Sequence, residues 1–383
     1  MAISAGLPDD CTMPSMLQLS NLVLDLLKHT IPRRSNLTTT EERAFESFRQ
    51  LASVLDQAEQ RDRLRETYGA AMNMLFETYV PGAGTPLVKN FEQWLSYLIE
   101  TPPWLTPAEQ ARNHAAFLDV SAAVASVLES RQRMTLHEQN GVCPDWLAKL
   151  VRMWHRDAAT VMTFNYDRFV ELAWLVNVER TPPRTMSWDL YPAPLTPLVA
   201  RAGIAPPVYS VPGGFQLFKL HGSIGWWYSG PDGPPGDIIY DQGMQGGSWS
   251  SDGLDPVGEL SISLMQDREQ LIVPPAAVKS PYYNNRAIRA MWRNAAGYLG
   301  LADELVIMGF SLPATDMLVS SMLCTNVRKD CVITPVDFGD AVIKRIRDTF
   351  DISADDPRLN KKYVGLGENA IPKWVEDTVN AAD

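Results

Sequence analysis

Apolar residues recur first at helical spacing and later in short unbroken runs, with the change falling just after Asp157. Met16, Leu19, Leu22, Val23, Leu26 and Leu27 repeat at three- and four-residue steps and stop before Ile31-Pro32, which predicts a buried helix. Thr38 to Thr40 then offer N-caps, Glu41 and Glu42 occupy a first turn, and Phe45, Phe48, Leu51, Val54 and Leu55 continue the helical period. A further helix is predicted over 61–76, and others over 90–99, 107–128 and 144–155. The last two open with Pro107 and Pro144, whose fixed φ and missing N–H suit a first turn. Residues 40–155 therefore read as almost wholly α-helical. Within them Ala115, Ala116, Ala122, Ala123 and Ala125 make a small-residue face, suited to close helix packing in the core or to an oligomer surface.

Beyond Asp157 the runs 160–164, 215–220, 271–273, 304–308 and 332–334 are short, apolar and bounded by turn signals, and several precede helical patterns such as 169–176. Buried strands alternating with helices predict an α/β fold built on a parallel sheet. Residues 229–258 are dense in Gly, Pro, Asp and Ser and predict a long loop, either a functional lid or a passive insertion.

Composition narrows the class. Of 383 residues 45% are hydrophobic and 21% charged, the balance of a soluble, core-forming protein rather than a disordered one. The net charge of -11 gives no general attraction to a polyanion, so direct nucleic-acid binding is not expected. Arg286, Arg289 and Arg293 share one helix face, assigned to solvent over a phosphate contact. Cys11, Cys143, Cys324 and Cys331 form no C-x-x-C pair, which argues against a disulfide framework and a zinc module. With no long apolar span and no signal-peptide pattern, a cytoplasmic protein is expected.

In open α/β sheets ligands bind beyond the carboxyl ends of the strands, and three such junctions carry unusual residues. The first is Thr163-Phe164-Asn165-Tyr166-Asp167, the second Lys219-Leu220-His221-Gly222-Ser223, and the third Met308-Gly309-Phe310-Ser311-Leu312-Pro313-Ala314-Thr315-Asp316. Singly, each has an ordinary explanation: a helix cap, a turn and a loop. Together, at successive strand ends of one inferred sheet, they would converge on one crevice.

These three segments, in this order and approximate spacing, resemble the sirtuin-like family, in its bacterial branch that lacks the deacylase zinc module. The resemblance is strong over 160–340, moderate around Asn90-Phe91-Glu92-Gln93-Trp94-Leu95, and weak elsewhere. It implies a Rossmann-like parallel sheet with a large α-helical insertion: the start of the sheet domain in 1–30, the insertion in 31–155, the core in 156–350 and a C-terminal tail in 351–383. The family's opening Gly-Ala-Gly-x-Ser loop is matched only at its tail, by Ile3-Ser4-Ala5-Gly6-Leu7-Pro8. Either the start codon lies too far downstream or the phosphates are bound differently or poorly; Gly82-Ala83-Gly84 is a weaker substitute, since no apolar strand precedes it.

The family chemistry cleaves the nicotinamide-ribose bond of NAD+ through a cationic, oxocarbenium-like transition state. By resemblance, Asn165 would position the attacking water or the ribose hydroxyls, and His221 would act as general base. Asp167 would contact the carboxamide, Ser311 and Asp316 would line the ribose, Asp337 would meet the adenosine ribose, and Ser4 and Gly6 would approach the pyrophosphate. Without the zinc module, water is the favoured acceptor over acyl-lysine. The expected function is an NAD+ hydrolase, with NAD+ as substrate and no metal, acting as an NAD-depleting effector of anti-phage defence. A homo-oligomer and a separately encoded regulatory partner, an ATPase or an Argonaute-like protein, are implied. The alternative is a non-catalytic NAD- or ADP-ribose-binding scaffold.

Overall fold

The computed structural model describes 12–14, positions 18, 19, 22, 23 and 26, then 91–178, 190–192, 195–198, 214–230, 238–240, 249–250, 268–276, 279, 282–313 and 316–382. The helices expected over 40–79, Gly82-Ala83-Gly84 and most of the 229–258 loop lie outside those residues. Gln18, Leu19, Leu22, Val23 and Leu26 are helical, with Leu19 and Val23 buried.

Helix α1 (Phe91–Ile99) packs on α2 (Pro107–Glu138), which runs ten residues beyond its predicted end. Sequence marks the start of α2 clearly. Thr106 Oγ1 accepts the Glu109 N–H and Glu109 Oε2 accepts the Thr106 N–H, a reciprocal cap that satisfies two otherwise orphan donors. Its end is harder to read, because 129–138 are mostly polar and no Gly or Pro interrupts them. Ala115, Ala116, Ala123 and Ala125 are buried while Ala122 is exposed, so the small-residue face packs in the core. Helix α3 (Asp145–Arg156) follows and leads into β1 (Thr160–Thr163) and α4 (Phe169–Asn177).

β1 pairs in parallel with β3 (Gln216–Lys219), in the register Thr160 to Gln216 through Thr163 to Lys219. A second parallel ladder joins β7 (Glu304–Met308), β8 (Val332–Asp337) and β9 (Tyr363–Val364). Period-2 alternation divides the side chains between two cores. Val161, Leu217, Val306 and Val336 lie on one side with α3 and α4. Met162, Phe218, Ile307 and Ile333 lie on the other, with α5 (Arg286–Leu299) and α7 (Ala341–Phe350). Both faces of the parallel strands are thus covered by helices, and the fold is mixed α/β.

The inferred single sheet is not what hydrogen bonding delivers: among the described residues the two parallel ladders are separate, and a third is mixed. There β2 (Thr196–Pro197), β5 (Ile239–Tyr240), β4 (Gly222–Tyr228) and β6 (Glu269–Ile272) lie in that order, and β6, expected as a parallel strand, runs antiparallel to β4. That β4 leaves the β1–β3 ladder has a local reason. Only Leu220 and His221 separate β3 from β4, too few for a crossover to a parallel neighbour, so the chain leaves one sheet and enters another. The 229–258 stretch contributes β5 and buried Trp249, whose indole N–H donates to Gln139 Oε1 at 2.8 Å. Residues past 350, read as a tail, add β9 to the β8 edge. They also supply α8 (Ala370–Ala382), which buries Trp374 and Val375 beside α3. Helix α6 (Met317–Asn326) lies between α5 and α7.

Candidate functional site

The three polar junctions meet through one ring. Phe164, immediately after β1, has its centroid 5.0 Å from that of His221 after β3 and 4.6 Å from that of Phe310 after β7. Trp292 of α5 completes the cluster, 6.5 Å from Phe164 and 6.3 Å from His221. Its indole N–H donates to Leu220 O at 3.0 Å, which fixes α5 to the His221 turn. Asn285 places that helix by capping its N-terminus, accepting from Ala287 N at 2.9 Å and Ile288 N at 3.3 Å.

Backbone bonds hold the first two junctions together. Leu220 N donates to Thr163 O, Ile224 N to Tyr166 O, and Val273 N to His221 O, at 3.0, 3.0 and 2.8 Å. Tyr166 adds a side-chain link, its hydroxyl donating to Val273 O at 2.6 Å. Gly222 makes the bend possible: its φ is +82°, and a Cβ there would lie 2.1 Å from Leu271 O.

His221 is buried at 5% exposure, and its Nε2 has no hydrogen-bond partner among the described residues. Burial, and secondarily the charge of Lys279, hold its imidazole well below its usual proton affinity, so it is neutral at pH 7. Lys279 pairs with Asp316, itself the acidic residue of the third junction. The Tyr283 hydroxyl is also buried, without a hydrogen-bond partner among the described residues. Burial and then the Asp316 charge raise the phenol pKa of both Tyr283 and Tyr166. Glu92 on α1 adds a smaller upward contribution at Tyr166. The arrangement is an aromatic enclosure around a neutral, unengaged imidazole nitrogen, a group able to accept a proton.

The other expected residues fall into distinct positions. Asn165 is exposed at the end of β1, and its backbone N–H donates to Thr163 Oγ1 at 3.1 Å. Asp167 is not the N-cap of α4, a position that Arg168 holds without a side-chain cap bond; it closes a local turn, its Oδ1 accepting the Phe169 N–H at 3.2 Å, and burial raises its pKa against the pull of Lys219. Ser311 is exposed beyond β7. Asp337 ends β8 and closes a turn by accepting from Gly339 N at 3.1 Å. Ser4 and Gly6 lie outside the described residues. Lys279, Tyr283 and Trp292 were missed, because lone residues in loop or helical patterns carry no sequence signal of converging on His221.

Searches against protein-family models, curated proteins and solved structures find no match to this chain. Among the described residues, no group of three or more His, Cys, Asp or Glu is placed to hold a metal ion, and no helix is long and apolar enough to cross a membrane.

Proposed function

We propose that this chain has a Rossmann-like, sirtuin-like core and hydrolyses NAD+ at the nicotinamide-ribose bond, giving ADP-ribose, nicotinamide and a proton. The observation that carries the reading is the meeting of the Asn165, His221 and Phe310 turns around Phe164, with His221 neutral and its Nε2 unengaged. A neutral imidazole can take the proton released as water adds to the cationic anomeric carbon, and Asn165, directly after Phe164, would position that water. Asp316, the ion-pair partner of Lys279, would line the ribose.

A fluorogenic NAD+ analogue incubated with the full chain tests this reading. Turnover is expected, with strong loss in His221→Ala and Asn165→Ala. Turnover unchanged in both variants would sink the assignment. The near-complete burial of His221 favours a second reading, a non-catalytic NAD- or ADP-ribose-binding scaffold, for which binding without turnover is the expected result. The resemblance further carries an NAD-depleting role in cytoplasmic anti-phage defence, a homo-oligomer and a separately encoded ATPase or Argonaute-like regulator. A monomer by light scattering, free and partner-bound, would remove the oligomer.

A further inference from the structure

One charged network lies beneath the site and is not used by the chemistry above. Lys219 closes β3, two residues before His221, on the same strand face as Leu217 and hence toward α4. Its side chain is 1% exposed, and its Nζ donates to Glu171 Oε1 of α4 at 2.8 Å. Tyr191 donates its hydroxyl to the same oxygen at 2.8 Å, while Glu171 Oε2 has no partner among the described residues. The same Lys219 ammonium also donates to the backbone carbonyl of Asp167, at the far end of the Asn165-Tyr166-Asp167 turn.

Stability is a poor explanation for such a pair. Two charges lose their hydration on burial, and apolar residues of the same volume are commonly as stable or more so. What an apolar residue cannot do is donate to a carbonyl in a non-helical turn. Resting on the hydrolase reading above, we propose that Lys219 is a positioning residue: it clamps the Asp167 carbonyl and so fixes the Asn165 turn against the His221 turn. Glu171, oriented by Tyr191, neutralises the ammonium without competing for the carbonyl. Lys219 touches no reacting atom and acts through the turn.

The test uses the full chain with Lys219→Met and with Lys219→Met/Glu171→Leu, the second removing both buried charges so that neither is left unpaired. Two quantities are read: amide hydrogen exchange at Leu220 and Ile224, whose N–H groups bond Thr163 and Tyr166, and turnover of the fluorogenic NAD+ analogue. The double variant is expected to melt near the wild type, yet to exchange faster at those two amides with the α2 core unchanged. Its kcat is expected to fall roughly 10²-fold at little-changed KM, the scale of a misplaced catalytic group. A folded double variant with wild-type exchange at Leu220 and Ile224 would overturn the proposal whatever the turnover. So would loss of folding in the double variant, since the pair would then be needed for stability. Absence of turnover in the wild type counts against the hydrolase reading alone, because the exchange comparison still decides the clamp.

Discussion

Gly222 follows His221 directly, and replacing it with alanine perturbs the bend in two ways. A residue with a Cβ held at positive φ costs about 1–2 kcal/mol. The new Cβ would also lie 2.1 Å from Leu271 O, a backbone atom that can retreat only by moving β6. That movement loosens the Gly222–Ile272 pairing and the Val273 N to His221 O bond of 2.8 Å, each worth about 1 kcal/mol. Together these give about 3–4 kcal/mol of destabilisation. At roughly 2 °C per kcal/mol for a large domain, the melting temperature should fall by roughly 6–8 °C, read by circular dichroism or calorimetry. Gly297 is the control: it sits in α5 with no atom within 4 Å of an added Cβ. Gly297→Ala should therefore stabilise by roughly 0.5–1 kcal/mol through helix propensity. A Gly222→Ala protein melting within about 2 °C of the wild type, or shifting in the same direction as Gly297→Ala, would refute the steric reasoning.

Acid should weaken the fold through buried His221 and part-buried His155. Burial depresses the proton affinity of His221, with Lys279 adding to it, and burial does the same to His155, whereas both titrate near 6.5 when unfolded. Below that pH the unfolded chain binds more protons, so stability is full above it and declines as pH falls toward the lower folded values. Melting temperatures followed from pH ~7.5 to ~5.5 should show the decline, and His221→Phe should flatten it; an identical slope in that variant would remove His221 as a cause. Asn285→Ala should cost about 1–2 kcal/mol by leaving Ala287 and Ile288 N–H groups uncapped at the start of α5, measured by urea unfolding. An unchanged midpoint would mean that water replaces the cap.

Much of the secondary structure was legible from residue order. Helices α1, α3 and α4 and strands β1, β3, β7 and β8 follow from the spacing of apolar residues, because it expresses the backbone's own repeat. The three polar turns were legible too, since polar and glycine residues directly after apolar runs stand out against their neighbours. Their meeting was not. Phe164 touching both His221 and Phe310 depends on how two separate parallel ladders pack, which no local pattern encodes. The antiparallel course of β6 has the same origin: an isolated apolar run has no direction until a partner strand exists.

Ionisable residues mark the same division. The sequence alone placed Asp167 where its carboxylate could take the Phe169 N–H, because such a turn needs only a side chain two residues away. It also placed His221 at a strand end next to a glycine. Only the tertiary structure decided that His221 is buried and neutral, that Lys279 faces Asp316, and that Lys219, in the apolar run ending β3, meets Glu171 and the Asp167 carbonyl. Charge state and partnership depend on desolvation and on atoms distant along the chain, and those exist only once the layers have packed.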